Sequence, residues 1–351
     1  LSEEEQKVML IYADELVPEA YGCLRPKENV PLAFAAILSA GKTDESVCIS
    51  DISTIEKSPV EFLQRFSARR LKMTDEEIKE RYAADDLPPV KNWFLYTYHC
   101  FMKLFFFVFF GTGSIVLGII IFPILKICIH PKMKFQKAAR AVVSWTFRMF
   151  INFMRITGEI RLNVDDRKAF KNLRSTIVVA NHPSILDVVF TISLIPNADC
   201  IVRGGLANTV LAGVIRQLYI VNTLDYDHML PHCRKSLESG TNLIIFPEGT
   251  RTPRHGLNQY KKGAARIAYD TDSNIQPFYI GGTDKYGLGK HDALWSYNHE
   301  RRYLYDIHIL PQIKIADYKK LEPQIAAKHL TDKMHEVIAA EIGRASCRER
   351  V

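Results

Sequence analysis

The sequence predicts an α/β domain flanked by helices and preceded by a hydrophobic membrane helix or helical hairpin. Three observations predict it. From Gly158 onward, strand-like runs recur at Ile160–Val164, Thr176–Ala180, Asp199–Val202, Leu218–Val221, Asn242–Phe246, Ile275–Ile280 and Tyr305–Ile309, with helical stretches between several of them. That alternation is the α/β pattern. Upstream, Leu104–Leu125 holds no charged residue, a run long enough to span a bilayer. Finally, two of the strand runs end in polar turns rich in reactive side chains, Asn181-His182-Pro183-Ser184 and Pro247-Glu248-Gly249-Thr250-Arg251.

Composition narrows the partners. With 46 Lys and Arg against 39 Asp and Glu, the formal net charge is +7. That balance fits a membrane surface, a phosphorylated substrate or an acidic carrier protein. No zinc-finger spacing or RNA-binding signature supports nucleic acid as a partner. Seven cysteines lie scattered without a C-x-x-C pair, which argues against a disulfide framework or zinc site and for a reducing compartment. His228 and His232 are four apart but enclose Pro231, so no metal is expected there. Gly281–Lys290 has glycines without P-loop spacing. No dinucleotide fingerprint occurs, and no cofactor is expected.

In chain order, residues 1–70 stand apart from this pattern. Val8–Tyr12 reads as a strand and Pro31–Ser39 as a second buried element. On the segments YADELVPEAY and LAFAAILSAG, this piece resembles the tail of a β-ketoacyl-synthase-like domain, which implies a partial remnant of one. Residues 71–91 read as a charged linker: Thr74 and Glu77 form a capping box, and the segment closes on Pro88-Pro89. Residues 92–130 are the transmembrane or re-entrant segment, with Trp93, Tyr96 and Tyr98 placed for an interface. Gly111-Thr112-Gly113 divides the run, and basic residues flank both sides (Lys91; Lys126, Lys132, Lys134). Charge therefore does not favour a single crossing, and a re-entrant hairpin broken at the glycines is the preferred reading. Residues 131–157 mix Trp145, Phe147, Met149, Phe150 and Phe153 with Arg148 and Arg155, the mark of an amphipathic helix on a membrane surface. The soluble domain runs over 158–340. Glu341–Val351, EIGRASCRERV, matches the translation of a common sequencing adapter and is set aside from fold reasoning.

The two turns suggest a reaction. A histidine at the mouth of a strand, with a carboxylate five residues on, is a compact base and orienter. Asp187 can hold one ring nitrogen of His182 as a donor and leave the other to take a proton. Ser184 lies between them without the G-x-S-x-G elbow of a nucleophile. In the second turn, Gly249 lets backbone approach an anion and Arg251 suits bidentate contact with phosphate. Glu248 suits an acceptor hydroxyl or a grip on Arg251.

Together, N-H-x-x-x-x-D at 181–187 and F-P-E-G-T-R at 246–251 resemble the glycerolipid acyltransferase family, the 1-acylglycerol-3-phosphate acyltransferases and their relatives. The resemblance covers about Gly158–Tyr318 and implies a mixed sheet flanked by helices. It implies catalytic roles for His182 and Asp187, and acceptor binding by Glu248, Gly249, Thr250 and Arg251. Lys261 of QYKKGAA and Arg203 between the motifs fall near the family's basic residues. Many members also carry a strand ending in aspartate-arginine, whereas Leu218–Thr223 here has no arginine. The implied protein is a membrane-associated O-acyltransferase at the cytoplasmic (inner) membrane, its catalytic domain facing the cytoplasm. It would move an acyl chain from acyl-ACP or acyl-CoA to a lysophospholipid hydroxyl, with acyl carrier protein and membrane lipid as partners. The alternatives are transfer of a specialised or aryl polyene chain to a glycolipid, and a non-catalytic membrane-recruiting module.

Overall fold

The computed structural model describes residues 75–348 except 85, 223–225 and 257. The chain divides into two compact units, Leu1–Ile78 and Lys79–Val351. The synthase-like reading of residues 1–70 lies outside the described residues, as do residues 71–74 of the charged linker with the capping Thr74. The second unit begins within helix α1 (Asp75–Tyr82).

The apolar run forms α2 (Trp93–Val116), which passes through a π-helical segment at Leu117–Ile121 into α3 (Phe122–Cys128). At roughly 1.5 Å per residue, these 36 residues extend about 54 Å, and by length and composition this is a candidate membrane span. The expected break at Gly111–Gly113 does not occur. Both glycines sit inside α2, where a single glycine weakens a helix by only about 1 kcal/mol, too little against the contacts along its length. The partner of the apolar helix is instead α4 (Lys132–Ile156). Ring contacts pair Phe122 with Phe135, Phe110 with Phe147 and Phe106 with Phe153, so the two run antiparallel. The helix read as resting on a membrane surface is thus half core. Its Phe135, Ala139, Val143, Phe147, Phe150 and Met154 are buried, while Met133, Trp145, Met149 and Ile156 remain exposed.

Side chains from both helices tie this pair to the domain. His99 Nδ1 lies 2.6 Å from buried Glu159 and its ring stacks on Tyr297 at 4.5 Å. Lys103 Nζ donates to the carbonyls of Gly287 and Ser296. From α4, Arg140 makes a bidentate pair with Asp199, at 2.6 and 2.8 Å. A third contact is backbone on backbone. A Cβ on Gly213 would stand 2.8 Å from the Cα of Gly118 in the π-helical segment. Gly213→Val should therefore force the helices apart and destabilise the protein by about 1–3 kcal/mol, as overpacking does. Thermal or denaturant unfolding measures it; unchanged stability would show that the helices can slide apart freely.

The sheet has seven strands: β1 (Ile160–Val164), β2 (Ile177–Ala180), β3 (Ala198–Arg203), β4 (Ile220–Asn222), β5 (Asn242–Ile245), β6 (Ile275–Gly281) and β7 (Tyr303–Ile309). Their order is β1-β7-β6-β2-β5-β3-β4. All pairs are parallel except β6 with β7, which makes the sheet mixed. The central strand β2 is apolar throughout, as suits a strand covered on both faces. On β2, Val178 and Ala180 join the core beneath α2, α4 and α6 (Asp187–Leu194). Ile177 and Val179 join the opposite core, beneath α8 (Tyr226–Glu238), α9 (Gly263–Thr271) and α10 (Pro323–Arg348). Between these lie α5 (Arg167–Asn172) and α7 (Ala212–Leu218). The last helix, α10, continues through Glu341 to Arg348.

Candidate active site

Strand register alone brings the two motifs together. On the central parallel pair, Val179 stands beside Ile245, so continuing the count places His182 beside Glu248. On the next strand, Cys200 stands beside Ile244, which carries Arg203 level with Pro247. The carboxyl ends of β2, β5 and β3 therefore bring His182, the Glu248–Arg251 turn and Arg203 to one sheet edge, where open α/β sheets bind ligands.

His182 Nδ1 lies 2.8 Å from Asp187 Oδ2. A carboxylate only accepts, so Nδ1 carries the proton and Nε2 keeps its lone pair. Asp187 is fully buried and well supplied with donors. The Ser184 N–H donates to Oδ2 at 2.7 Å and the Ser184 hydroxyl to Oδ1 at 2.6 Å. Tyr305 in turn donates to Ser184 Oγ at 3.0 Å. Ser184 is fully buried, which suits an orienting role and not a nucleophilic one. Phe246 stacks on the imidazole with centroids 4.4 Å apart. The backbone beneath is pinned as well: the Asn181 amide donates to Ile280 O and accepts from Ile280 N, at 2.8 and 2.9 Å, as a neighbouring strand would.

The residues of the second motif differ in what they touch. Glu248 is buried and does not touch Arg251. Its Oε1 accepts from the His182 N–H at 3.1 Å and from Thr252 Oγ1 at 2.5 Å, and its Oε2 accepts from Asn258 Nδ2 at 2.7 Å. Thr252 also accepts from the His182 N–H, at 2.9 Å. Burial pushes the Glu248 carboxyl up, with its hydrogen-bond donors pulling the other way. Glu248 thus braces the backbone of the histidine and is not placed to meet a substrate hydroxyl. Gly249 sits at φ +64°, and a Cβ there would lie 3.1 Å from Lys261 Nζ. The lysine predicted to join the site therefore lies against this turn. Thr250 is half-buried. Arg251 donates from Nη1 to the carbonyls of Leu288 and Gly289, at 3.0 and 2.5 Å. Burial lowers the Arg251 pKa, while Asp292, Tyr82 and Asp187 act against it. Arg203 is exposed at the end of β3.

Two contributors carry no motif in the sequence. The Tyr82 hydroxyl, at the end of α1, donates to Arg251 O at 2.7 Å. Leu288 O accepts from both Arg251 and the Ile185 N–H, the latter at 3.1 Å, so the loop 285–292 joins both motifs. Among the described residues no group of three or more His, Cys, Asp and Glu could hold a metal ion.

The acyltransferase family profile matches residues 161–281, the segment that carries both turns. Residues 161–281 thus carry an acyltransferase-family domain. A probable 1-acyl-sn-glycerol-3-phosphate acyltransferase of Mycoplasma genitalium is 27% identical over 174 residues, covering 46% of the chain and 60% of the relative. A chloroplastic 1-acyl-sn-glycerol-3-phosphate acyltransferase of Arabidopsis thaliana is 30% identical over 115 residues, covering 31% and 32%. The chain thus spans three-fifths or less of the length of these relatives. The crystal structure of the 1-acyl-sn-glycerophosphate acyltransferase PlsC of Thermotoga maritima shares the fold with a TM-score of 0.51 at 19% identity, over 72% of this chain and 96% of that one.

Proposed function

We propose that this acyltransferase-family chain transfers an acyl group from a thioester to the free hydroxyl of a lysophosphatidate-like lipid at a membrane. The observation that carries the reading is the His182–Asp187 pair at 2.8 Å, set at the same sheet edge as Arg203 and Arg251. His182 Nε2 takes the proton of the acceptor hydroxyl as that oxygen attacks the thioester carbonyl. The tetrahedral intermediate collapses by breaking the carbon–sulfur bond, and the departing thiolate recovers the proton from His182. Asp187 holds the imidazole and stabilises its charged form between these transfers. The attacking oxygen belongs to the substrate, so no acyl-enzyme forms. Arg203 and Arg251 hold the acceptor phosphate, with Gly249 and Thr250 shaping the turn and Lys261 adding positive charge.

Exposed Phe94, Phe101, Val108, Ile119 and Ile127 on the apolar helix and Trp145 and Ile156 on α4 support seating against lipid, since apolar patches of this extent mark interaction surfaces. In this reading the catalytic domain faces the cytoplasm at the inner membrane. The resemblance of residues 1–70 to the tail of a β-ketoacyl-synthase-like domain favours acyl carrier protein as donor, and the acidity of such a carrier suits the net charge of +7. The test offers both donors against lysophosphatidate, glycerol 3-phosphate and monoacylglycerol. Acyl-ACP with lysophosphatidate should give the fastest transfer. Free fatty acid released without an acceptor would mark a hydrolase and contradict the proposal.

A further inference from the structure

We propose that Lys290 is a third contact for the acceptor's phosphate, a residue that the 285–292 loop holds beside Arg251. The inference rests on the acyl-transfer reading above and adds to it a residue outside both motifs.

The loop is built to hold a side chain in place. Asp292 accepts from the N–H groups of Gly287 and Gly289, both at 2.8 Å, and from Arg254 at 3.0 Å. Leu288 is buried and its carbonyl takes Arg251 and Ile185 together. Gly289, the residue before Lys290, is clamped by Arg251 Nη1 at 2.5 Å. His291, the residue after it, holds a left-handed backbone at φ +66°, uncommon for a residue with a side chain, and sets its ring 5.5 Å from Tyr82. Lys290 is thus fixed on both sides by contacts to the residues that frame the site.

Its ammonium then has a defined place. Nζ stands 5.2 Å from the Tyr82 ring centroid, and Tyr82 itself donates to Arg251 O. Lys290 also lines a cavity of about 240 Å³ with Tyr82, Pro183, Thr252 and Gly289, so it is reachable beside the histidine turn. Burial lowers its pKa, and the nearby charges of Arg203, Arg251 and Arg81 lower it further. Gathering like charges at one place is unfavourable unless an anion joins them. Asp292 offsets part of the charge on Arg251, and a phosphate monoester can supply the remainder, taking a charge-assisted hydrogen bond from each cation. At the same sheet edge β4 ends in uncharged Asn222, so the loop provides charge that this strand lacks.

The experiment measures binding and turnover separately on the full chain in detergent micelles. Lysophosphatidate and monoacylglycerol are titrated into wild type, Lys290→Ala, Lys290→Arg and His182→Ala. Lys290→Ala should weaken lysophosphatidate binding about ten- to a hundredfold, the usual loss for a hydrogen bond to a charged group. Monoacylglycerol should be unaffected and Lys290→Arg should retain most of the binding. His182→Ala should bind lysophosphatidate normally. In turnover, Lys290→Ala should raise KM for lysophosphatidate with kcat nearly kept. Equal weakening of both lipids would reduce Lys290 to a structural role and overturn the proposal. So would unchanged binding in Lys290→Ala, or a wild type without preference for the phosphorylated lipid. Lys290-dependent binding without any His182-dependent turnover would instead sink the acyl-transfer reading and leave the phosphate contact standing.

Discussion

Replacing His182 with alanine should lower acyl transfer by about 10²–10⁴-fold while the protein stays folded. The rate figure is that of a positioned general base. The prediction of intact folding follows from what the imidazole touches. Its side chain is 17% exposed, and its packing partner is one face of Phe246. The groups that position the turn act through the backbone: Glu248 and Thr252 on the His182 N–H, and the Thr252 N–H on His182 O at 2.7 Å. Those bonds survive the substitution. Removing the ring leaves Asp187 with both Ser184 donors, so the buried carboxylate is not stranded. A circular-dichroism melt alongside initial rates separates the two effects. A collapse in stability matching the loss of rate would show that the histidine is structural.

Asp187→Asn should have an effect of similar size by a different route. The carboxylate accepts from His182, from the Ser184 N–H and from the Ser184 hydroxyl. An amide of the same shape keeps two lone pairs on one oxygen only. If that oxygen faces His182, the ring orientation survives but the imidazolium formed during transfer loses its counter-charge. If the amide NH₂ faces His182, the ring must present a lone pair at Nδ1 and loses the acceptor at Nε2. The first arrangement weakens the base and the second removes it, and in a serine-protease triad the corresponding change costs about 10⁴ in kcat. The expected result is a fall in kcat of about 10²–10⁴ with KM for both substrates nearly unchanged. A large rise in KM with kcat preserved would mean that Asp187 shapes the binding site and does not serve the base.

The sheet and the His182–Asp187 contact were legible in the sequence because each depends on short-range pattern. Seven apolar runs correspond to seven strands, and their errors lie at the ends. Leu218, read as the start of a strand, closes α7 instead, with strand pairing beginning at Ile220. The His182–Asp187 spacing carries its own geometry, since the turn and the first residue of α6 fold back within five positions. Glu248 was legible as a site residue but not as a brace. Its partners Thr252, Asn258 and the His182 N–H come from a turn, a loop and another strand, and only the β2–β5 register brings them together. Lys290 and Tyr82 reach the site through loop contacts some forty to a hundred and seventy residues away from Arg251, with no periodicity to announce them. The apolar helix was legible by composition, but its partner was not. Gly111 and Gly113 suggested a fold-back within the run, whereas the interlocking phenylalanines chose α4.

The most direct measurement of the central claim supplies membranes containing the full chain with a labelled acyl thioester and lysophosphatidate, and compares wild type with His182→Ala. The wild type should yield labelled phosphatidate and the variant almost none, with thiol release matching phosphatidate formed one for one. Thiol released in step with phosphatidate by both proteins, or no transfer to any lysophospholipid by the wild type, would contradict it.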